Sequence, residues 1–380
     1  MKQIPFNRPY LSGKEAANFD DLLRSNRFAG PGPFGIICEE KLGALLGNPA
    51  VLMTSSCTHA LEMTALLSGI GPGDEVIMPS FTFVSMANAF VLRGAVPVFV
   101  DIRPGDMNID PTAIEGAITS KTRALVVMHY AGMACEMDTI LALSRKHELI
   151  LIEDAAHCIG ASYKGRPLGT FGDLATFSFH ESKNIHCGEG GALVINRPEW
   201  LPLARQIREK GTNRPDFIRG EVAFYEWTGV GSSYLLGEPS TAFLAAQLDE
   251  VATVTQERKR IFDRYVALLS PLEKAGKLEL PNPIVGSEHN GHIFFIKLED
   301  GSSRNQLADF LANRSISAYF HYIPLHASLA GKAFCRFEGT DNFTTKESER
   351  LLRLPIYPGL GDADLKYISE AIEVFFQTVD

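Results

Sequence analysis

Short apolar runs alternate with longer segments of helical character between residues 50 and 196. Seven runs are nearly continuous in apolar residues, and they span 51–55, 75–79, 97–100, 124–129, 149–152, 175–179 and 192–195. Such runs are typical of strands that are covered on both faces. The segments between them at 58–67, 84–92, 111–118 and 137–147 are long enough for crossover helices. The pattern therefore predicts an α/β fold with a mostly parallel seven-stranded sheet between helices.

The pattern changes after residue 196. A helix is predicted at 198–210, a glycine-rich stretch follows at 211–237, and a long helix is predicted at 241–269. The C-terminal part then combines predicted strands at 292–298 and 316–322 with predicted helices at 304–313 and 345–352. Because 380 residues exceed what one small core organises, we expect a large domain at 1–250, which includes the N-terminal segment, and a smaller α+β domain at 251–380.

Composition and charge narrow the class of protein. Apolar residues make up 45% of the chain, charged residues 21%, and the mean hydropathy is +0.01, which is ordinary for a globular protein. The net charge of −9 argues against a surface that coats nucleic acid. The N-terminus lacks an apolar core of signal-peptide length and no stretch approaches a membrane span, so we expect a cytoplasmic protein without a membrane partner. The six cysteines show no CxxC spacing, which favours reduced thiols.

Polar and aromatic residues follow four of the predicted strands. The segments at these strand ends are Ser55-Ser56-Cys57-Thr58, Pro79-Ser80-Phe81, Asp154 and Ser178. Ligands of open α/β sheets bind outside the carboxyl ends of the strands. The sequence therefore predicts a binding site at one rim of the sheet.

Lys183 and Asp154 have the chemistry that a pyridoxal 5′-phosphate (PLP) site requires. Such a site needs an amine that forms an imine with the PLP aldehyde and an acid opposite the pyridine nitrogen. Lys183 follows one apolar strand and Asp154 ends another. A buried carboxylate is costly unless it is paired, and a pyridinium is a suitable partner. Taken alone, a lysine is more often a solvated surface charge, and an aspartate is also apt as a helix N-cap.

The remaining parts of PLP also have candidate contacts near these strand ends. A phosphate needs the N–H groups at a helix start together with hydroxyl groups. Cys57 and Thr58 stand at such a start, and Ser178 offers a hydroxyl from another strand. Phe81 and Phe83 follow another strand end, and we expect the ring of one of them to stack on the pyridine. Each of these signals is weak alone, because caps and core aromatics have the same pattern.

Three sequence blocks resemble the DegT/StrS-type sugar aminotransferases, which are PLP enzymes of fold type I. The blocks are Ile-Glu-Asp-Ala-Ala-His at 152–157, Phe-Ser-Phe-His-Glu-Ser-Lys-Asn at 177–184 and Met-Pro-Ser-Phe-Thr-Phe-Val at 78–84. The resemblance runs through nearly the whole chain, including Tyr-Ile-Pro-Leu-His at 322–326. It implies an aminotransferase that moves an amino group from L-glutamate to a nucleotide-linked keto sugar. It also implies a homodimer with shared active sites.

The resemblance further implies roles for particular residues. Lys183 is implied as the catalytic residue that holds PLP, Asp154 as the partner of the pyridine nitrogen and His157 as a neighbour of the phenolic oxygen. The implied phosphate contacts and the stacking ring are Ser178, Cys57, Thr58 and Phe83, the last in preference to Phe81. Ser233 stands where many members carry an asparagine that reaches the phosphate in the partner subunit. No metal is implied.

Within that family, four further segments resemble the members that form dTDP-4-amino-4,6-dideoxygalactose. These segments are 91–95, 98–104, 107–110 and 344–355. They imply dTDP-4-keto-6-deoxyglucose as the amino acceptor and a role in cell-surface polysaccharide synthesis. His157 replaces the glutamine of many members and also occurs in relatives that aminate a UDP-linked 4-keto pentose. Other nucleotide-linked keto sugars, and a gluco product, therefore stay open.

Other classes of protein fit the sequence less well. Gly30-Pro31-Gly32-Pro33-Phe34-Gly35 matches the spacing of a dinucleotide fingerprint, but a helical segment precedes it and its prolines remove N–H donors. His186 and Cys187 lack the spaced partners of a zinc site. A non-catalytic regulator on the same fold would be expected to lose Lys183 or to gain a DNA-binding module. A related sugar dehydratase would carry histidine in place of Lys183.

Overall fold

Thirteen strands lie within residues 3–379, which are the residues that this computed structural model describes. In chain order the strands are β1 Ala50–Thr54, β2 Glu75–Pro79, β3 Val96–Val100, β4 Thr122–Met128, β5 Ile150–Asp154, β6 Ser162–Tyr163, β7 Arg166–Pro167, β8 Leu174–Ser178, β9 Gly191–Ile195, β10 Ser287–Glu288, β11 Phe294–Lys297, β12 Arg336–Phe337 and β13 Leu351–Leu354. All seven strands predicted before residue 196 are confirmed, with ends that differ by at most two residues.

Fourteen α-helices lie in the same described part of the chain. They are α1 Glu15–Ser25, α2 Pro33–Leu45, α3 Cys57–Leu67, α4 Val84–Val91, α5 Pro111–Ala117, α6 Met137–Lys146, α7 Leu201–Arg208, α8 Arg214–Ile218, α9 Glu238–Leu248, α10 Val251–Lys274, α11 Gly301–Ala312, α12 Leu329–Phe334, α13 Thr344–Arg350 and α14 Asp362–Val379. The four predicted crossover helices correspond to α3, α4, α5 and α6. No helix in residues 3–379 combines the length and apolar character that crossing a membrane requires.

Eight of the strands form one large sheet in the order β1-β9-β8-β5-β4-β2-β3-β12. Neighbouring strands are parallel except around β9, which is antiparallel to both β1 and β8. The carboxyl ends of the other strands therefore meet at one rim. The prediction of a mostly parallel seven-stranded sheet is confirmed, and the short β12 from the C-terminal part adds an eighth strand beside β3.

Alternate residues of the central strands enter two separate hydrophobic clusters, one on each face of the sheet. Leu151 of β5 packs on one face and Ile152 on the other. The face of Ile152 also receives the apolar residues of the C-terminal part. Because side chains alternate along a strand, Asp154 shares the face of Ile152, and Glu153 shares the face of Leu151.

Two predictions for the second half of the chain are wrong in part. The single helix expected at 241–269 is broken between α9 and α10, where Lys41 binds Asp249 and Lys14 binds Glu250 at 2.6 and 2.8 Å. The helix expected at 345–352 ends at Arg350, because the residues after it pair with β11 as β13. The domain boundary expected at 250 falls close to the break between α9 and α10 and stays a prediction.

The strand expected at 316–322 is not formed. This extended segment makes only isolated bridges, from Ile316 to Ile4 and from Tyr319 to Arg353. Its two bridging residues pair with different partners, so no continuous ladder develops. The strand expected at 292–298 and the helix expected at 304–313 are present as β11 and α11.

The glycine-rich segment at 30–35 leads into the N-terminus of α2, whose N–H groups are already occupied. The backbone N–H groups of Gly32, Phe34 and Gly35 donate to the carboxylate of Glu238 at 2.9–3.0 Å. Glu238 is fully buried, and a side chain at Gly32 would collide with it. A carboxylate of the chain itself thus fills the place where a dinucleotide phosphate would bind, and α1 rather than a strand precedes the segment.

We expect Glu238→Ala to lower the free energy of unfolding by about 2–4 kcal/mol, because it leaves three N–H groups without their acceptor. Thermal and urea unfolding of the protein free of cofactor measure this loss. Glu40→Ala, at an exposed position on α2, is the matched control and should change stability little. Equal stability of the two variants would contradict the role given to the Glu238 carboxylate.

Candidate active site

A cavity of about 500 Å³ opens at the rim of the sheet, between the strand ends and the C-terminal part of the chain. Seven of the eight predicted site residues line it, namely Cys57, Thr58, Phe83, Asp154, His157, Ser178 and Lys183. They come from five separate stretches of sequence, which the parallel topology brings together. The structure therefore assembles the predicted residues in one place, while their roles stay predictions.

Asp154 is a buried carboxyl group at the end of β5, with only 4% of its surface exposed. Its Oδ1 accepts a hydrogen bond from the N–H of Ala156 at 3.0 Å. Burial raises the pKa of Asp154, and the charges of Lys183 and His129 oppose that rise. No α-helix begins between Asp154 and β6, so the alternative interpretation as a helix N-cap is wrong. A cationic group in the cavity would stabilise this carboxylate.

Glu153, on the opposite face of β5, is a buried carboxylate that the chain itself satisfies with hydrogen bonds. Its oxygens accept hydrogen bonds from the N–H groups of Gly169, Phe171 and Gly172 at 2.6–2.8 Å, and His129 lies 2.9 Å away. The chain thus fully satisfies Glu153. Asp154, with fewer partners and an open cavity beside it, is the carboxylate of the pair that is available to a ligand.

Lys183 lies in the connection between β8 and β9, which turns back over the rim. Backbone hydrogen bonds close this connection, from Phe179 N to Gly190 O and from Lys183 N to His180 O at 2.8 and 2.9 Å. Its Nζ donates no hydrogen bond to any side chain or carbonyl within residues 3–379, and burial lowers the pKa of the amine. A half-buried, unpaired amine in a cavity is suited to covalent chemistry and does not resemble a solvated surface lysine.

The N-terminus of α3 also lines the cavity. Ser56 caps this helix by accepting a hydrogen bond from the N–H of His59 at 3.1 Å, and Cys57 and Thr58 begin it. The first N–H groups of a helix have no acceptor within the helix, which makes them donors for a phosphate. Ser178 borders the same place, because it pairs with Gly191 of β9.

Gly191, the first residue of β9, lies close against the N-terminus of α3. A side-chain carbon there would lie 2.4 Å from the backbone nitrogen of Cys57, so only glycine lets the strand approach the helix this closely. The close approach places Ser178 beside α3. The glycine at position 191 is therefore needed for β9 to pack closely against α3 at the rim.

The two candidate stacking rings differ in exposure. Phe83 is 54% exposed and lines the cavity, whereas Phe81 is 1% exposed and packs edge-on against Tyr130. Phe83 is therefore the ring that can contact a molecule in the cavity. This agrees with the preference that the family resemblance implied.

Three histidines line the cavity, of which His157 and His292 are buried and His321 is half-buried. His157 and His292 have ring centroids 4.4 Å apart, and His321 lies 3.1 Å from the hydroxyl of Tyr130. Burial, with the positive charge of Lys183 as a further cause, holds the pKa of His157 and of His292 well below the ordinary value. These rings stay neutral at physiological pH.

Sequence reasoning did not identify several residues that line the cavity. They are Phe6, Arg258, His292, His321, Tyr322 and Arg353. Tyr322 and Arg353 lie in segments 322–326 and 344–355, which were singled out only for their resemblance to the family, and no local pattern marks the others. Their position depends on packing between segments far apart in the chain.

Ser233 is the one predicted site residue that does not line this cavity. It is exposed and forms an isolated antiparallel bridge with Glu209. Its predicted contact is with the cofactor of a partner subunit, and that contact stays a prediction. His186 and Cys187 belong to a packed loop, in which Nε2 of His186 lies 2.9 Å from the carbonyl oxygen of Tyr10.

Comparisons with known proteins identify the family to which the chain is similar. The sequence model of the DegT/DnrJ/EryC1/StrS aminotransferase family matches residues 9–373. The spore coat polysaccharide biosynthesis protein SpsC of Bacillus subtilis is 30% identical over 387 residues, covering 99% of this chain and 98% of SpsC.

Solved structures resemble the whole chain. The aminotransferase TlmJ from Streptoalloteichus hindustanus is 28% identical with a TM-score of 0.92, and the match covers 100% of both chains. Spr1654 from Streptococcus pneumoniae, solved in its PLP form, is 26% identical with a TM-score of 0.89, again over 100% of both chains. The fold of this chain is that of the PLP-dependent aminotransferases of fold type I.

We expect the free energy of unfolding of His157→Gln to fall less between pH 7.5 and pH 5.0 than that of the natural protein. The folded pKa of His157 lies below its unfolded value of about 6.5, so the unfolded chain binds more protons, and stability falls as pH drops below that value. One such ring contributes a loss of up to about 2 kcal/mol at pH 5. Unfolding measured at pH 7.5 and pH 5.0 should show a smaller difference for the variant. An unchanged difference would contradict the neutral buried state of His157.

Proposed function

The chain belongs to the DegT/DnrJ/EryC1/StrS aminotransferase family, whose cofactor is PLP, and from this premise we propose that Lys183 and Asp154 hold that cofactor. The observation that carries the proposal is that one cavity is lined by both a half-buried amine without a hydrogen-bond partner in residues 3–379 and a buried carboxylate. PLP supplies an aldehyde that binds amines and a ring that withdraws electrons from the attached carbon. An amine and an acid are the two side chains that such a group needs.

Asp154 is proposed to keep the pyridine nitrogen of the cofactor protonated. A carboxylate whose pKa is raised by burial gains from a cation at its open side, and a pyridinium provides one. The single backbone bond from Ala156 leaves lone pairs of Asp154 free for that contact. Asp154 thereby favours the electron-withdrawing state of the ring.

The start of α3 is proposed to bind the cofactor phosphate. The first N–H groups of the helix, the hydroxyl of Thr58 and the hydroxyl of Ser178 surround that end of the cavity. Thr58 is held in place by a 2.7 Å hydrogen bond to Ser85. Phe83 lies on the exposed side, where its ring can cover the pyridine, and His157 lies three residues beyond Asp154, toward the C-terminal side.

Lys183 is proposed to have a second duty as the proton carrier. With the cofactor bound, the amine of Lys183 would accept the proton that leaves the α-carbon of the amino donor. In the second half of the reaction it returns a proton to the carbon that receives the amino group. Burial lowers the pKa of Lys183, which increases the fraction of neutral amine available as a base at physiological pH.

We propose L-glutamate as the donor and the 4-keto carbon of dTDP-4-keto-6-deoxyglucose as the acceptor, which gives dTDP-4-amino-4,6-dideoxygalactose for a cell-surface polysaccharide. The similarity to four segments of the enzymes that form this sugar supports the proposal, and so does SpsC, which is named for polysaccharide biosynthesis. We place the reaction in the cytoplasm, in a homodimer whose partner subunit contributes Ser233.

The purified protein with PLP should be yellow, and borohydride should fix the cofactor on Lys183, because this amine is the unpaired one in the cavity. Lys183→Ala should abolish the labelled peptide and reduce transamination by at least about 10³-fold. Lys164→Ala, on the surface, is the matched control and should behave as the natural protein does. Reduced cofactor found on a lysine other than Lys183, or the absence of PLP binding, would contradict the proposal.

The same preparation tests the acceptor. Incubation with L-glutamate and dTDP-4-keto-6-deoxyglucose should yield the 4-amino sugar, and NMR coupling constants of the product identify the galacto configuration. Turnover of a UDP-linked keto sugar without turnover of the dTDP-linked one would overturn the acceptor while leaving the PLP chemistry intact.

Ser233→Glu should weaken PLP binding in a homodimer, because it brings a negative charge to the phosphate of the partner's cofactor. Mixing this variant with inactive Lys183→Ala should restore part of the activity, since one of the two sites in a mixed dimer carries both natural residues. Activity and cofactor content after subunit exchange measure the effect. A mixture no more active than its components would argue against a shared site.

A further inference from the structure

Asn184 directly follows Lys183, and its buried side chain makes a hydrogen bond at each end of the amide. Nδ2 donates to the carbonyl oxygen of Asn290 at 3.3 Å, and Oδ1 lies 2.8 Å from Nδ1 of His292. Because a carbonyl oxygen can only accept a hydrogen bond, the contact with Asn290 fixes the orientation of the amide. The end of Asn184 that faces His292 is therefore the oxygen.

This oxygen determines which nitrogen of His292 carries the proton. An amide oxygen only accepts, so Nδ1 of His292 is the donor in the contact with Asn184. Burial, with the charge of Lys183 as the next cause, holds the pKa of His292 well below its ordinary value, so the ring is neutral and has a single N–H group. Nε2 of His292 is therefore an acceptor, and no group within residues 3–379 donates to it.

The backbone at the start of β11 is held as firmly as the ring of His292. Oδ1 of the fully buried Asn290 accepts from the N–H of His292 at 3.0 Å. Nδ2 of Asn290 donates to the carbonyl oxygens of His157 and Ile159 at 2.7 and 2.8 Å. The start of β11 is thus joined to the chain after β5 and, through Asn184, to the connection between β8 and β9.

His157 offers the cavity the opposite group. The N–H of Ala131 donates to Nδ1 of His157 at 3.3 Å, so the proton of this neutral ring is on Nε2. The centroids of the His157 and His292 rings are 4.4 Å apart, and both residues line the cavity. His157 therefore has a donor for the phenolic oxygen that it is predicted to meet, whereas His292 requires a ligand atom that donates.

The proposed acceptor sugar has such a donor beside its reacting carbon. Lys183, which is proposed to return a proton to C-4, lines the same cavity as His292 and acts on its pKa. In dTDP-4-keto-6-deoxyglucose the carbons next to C-4 are C-3, which carries a hydroxyl group, and C-5, which carries the methyl group. The 3-hydroxyl group is therefore the donor nearest to the reacting carbon.

We propose that Asn184 is a positioning residue, which holds the proton of His292 on Nδ1 so that Nε2 accepts a hydrogen bond from the 3-hydroxyl group of the sugar. This inference rests on the proposed aminotransferase function. The contact holds C-4 of the sugar beside the amine of Lys183. With its proton on Nε2 the ring would donate to the hydroxyl group instead, so Asn184 sets the direction of this hydrogen bond.

The position of the proton can be observed directly. ¹⁵N NMR of the PLP-loaded protein with labelled histidine, assigned by the signal that is lost in His292→Gln, should show the proton on Nδ1. Asn184→Asp keeps an oxygen at this place and should keep the proton on Nδ1, whereas Asn184→Leu should release it. A proton on Nε2 in the natural protein would overturn the proposal, whichever sugar reacts.

The sugar contact is tested with two analogues of dTDP-4-amino-4,6-dideoxygalactose, in which hydrogen or fluorine replaces the 3-hydroxyl group. The absorbance change on mixing with the PLP-loaded enzyme gives an apparent Kd for each compound. Neither substituent can donate a hydrogen bond, so each analogue should have a Kd at least about 5-fold higher than the parent sugar. In Asn184→Leu the three Kd values should lie within about 2-fold of one another.

Asn196→Leu is the matched control. Nδ2 of Asn196 donates to the carbonyl oxygens of Gly169 and Gly172 at 3.3 and 2.8 Å, but Asn196 does not line the cavity. This variant also loses hydrogen bonds of a side-chain amide, and it should keep both the natural position of the His292 proton and the natural preference for the 3-hydroxyl group.

Other outcomes would contradict particular parts of the proposal. A fluorinated analogue that binds as tightly as the parent sugar, while the hydrogen analogue does not, would make Nε2 the donor. An undiminished preference for the 3-hydroxyl group in Asn184→Leu would remove the role of Asn184. Equal binding of all three compounds by the natural enzyme would overturn the sugar contact alone, whereas no reaction with any of them would overturn the proposed acceptor as well.

Discussion

A buried carboxylate and a half-buried amine, those of Asp154 and Lys183, line one cavity, and the charge of each stabilises the charged form of the other. Burial raises the pKa of Asp154 and lowers that of Lys183, and each charge opposes the shift of the other. Neither group has enough hydrogen bonds from the chain to offset its desolvation. The rest of the site is built around this pair, and a cofactor that bonds to the amine and presents a cation to the carboxylate satisfies both.

The topology of the sheet is what brings the two groups together. Asp154 ends β5, and the adjacent β8 leads into the connection that carries Lys183 before β9 returns antiparallel. The carboxyl end of β5 and the turn after β8 therefore lie at the same rim. Side chains alternate along β5, and this alternation decides which acid faces the cavity. Glu153 points to the other face, where three N–H groups donate to its carboxylate.

The part of the site that belongs to the sheet could be predicted from the sequence, because strand ends are readable from apolar runs. Cys57, Asp154 and Ser178 each follow such a run, and a parallel sheet places those ends together. His321 and Arg353 could not be found in this way. Their places depend on how β13 and the extended segment before α12 pack against the large sheet, which leaves no local pattern.

The errors in the second half of the chain have the same origin. Segment 316–322 has the composition of a strand, yet its only strand pairings within residues 3–379 are single bridges to Ile4 and Arg353. The helix expected to run through 250 is interrupted where lysines of α1's N-cap and of α2 bind two adjacent acids. The missing strand and the interrupted helix both involve contacts between segments that are distant in the chain. The hydrophobic periodicity of the sequence does not predict such contacts.

A crystal structure of the chain with PLP tests the central claim most directly. It should show continuous density between the Nζ of Lys183 and the cofactor, with the pyridine nitrogen within hydrogen-bonding distance of Asp154 and the phosphate at the start of α3. Cofactor bound elsewhere, or bound in this cavity without contact to Asp154, would contradict the account of why these two charges are buried together.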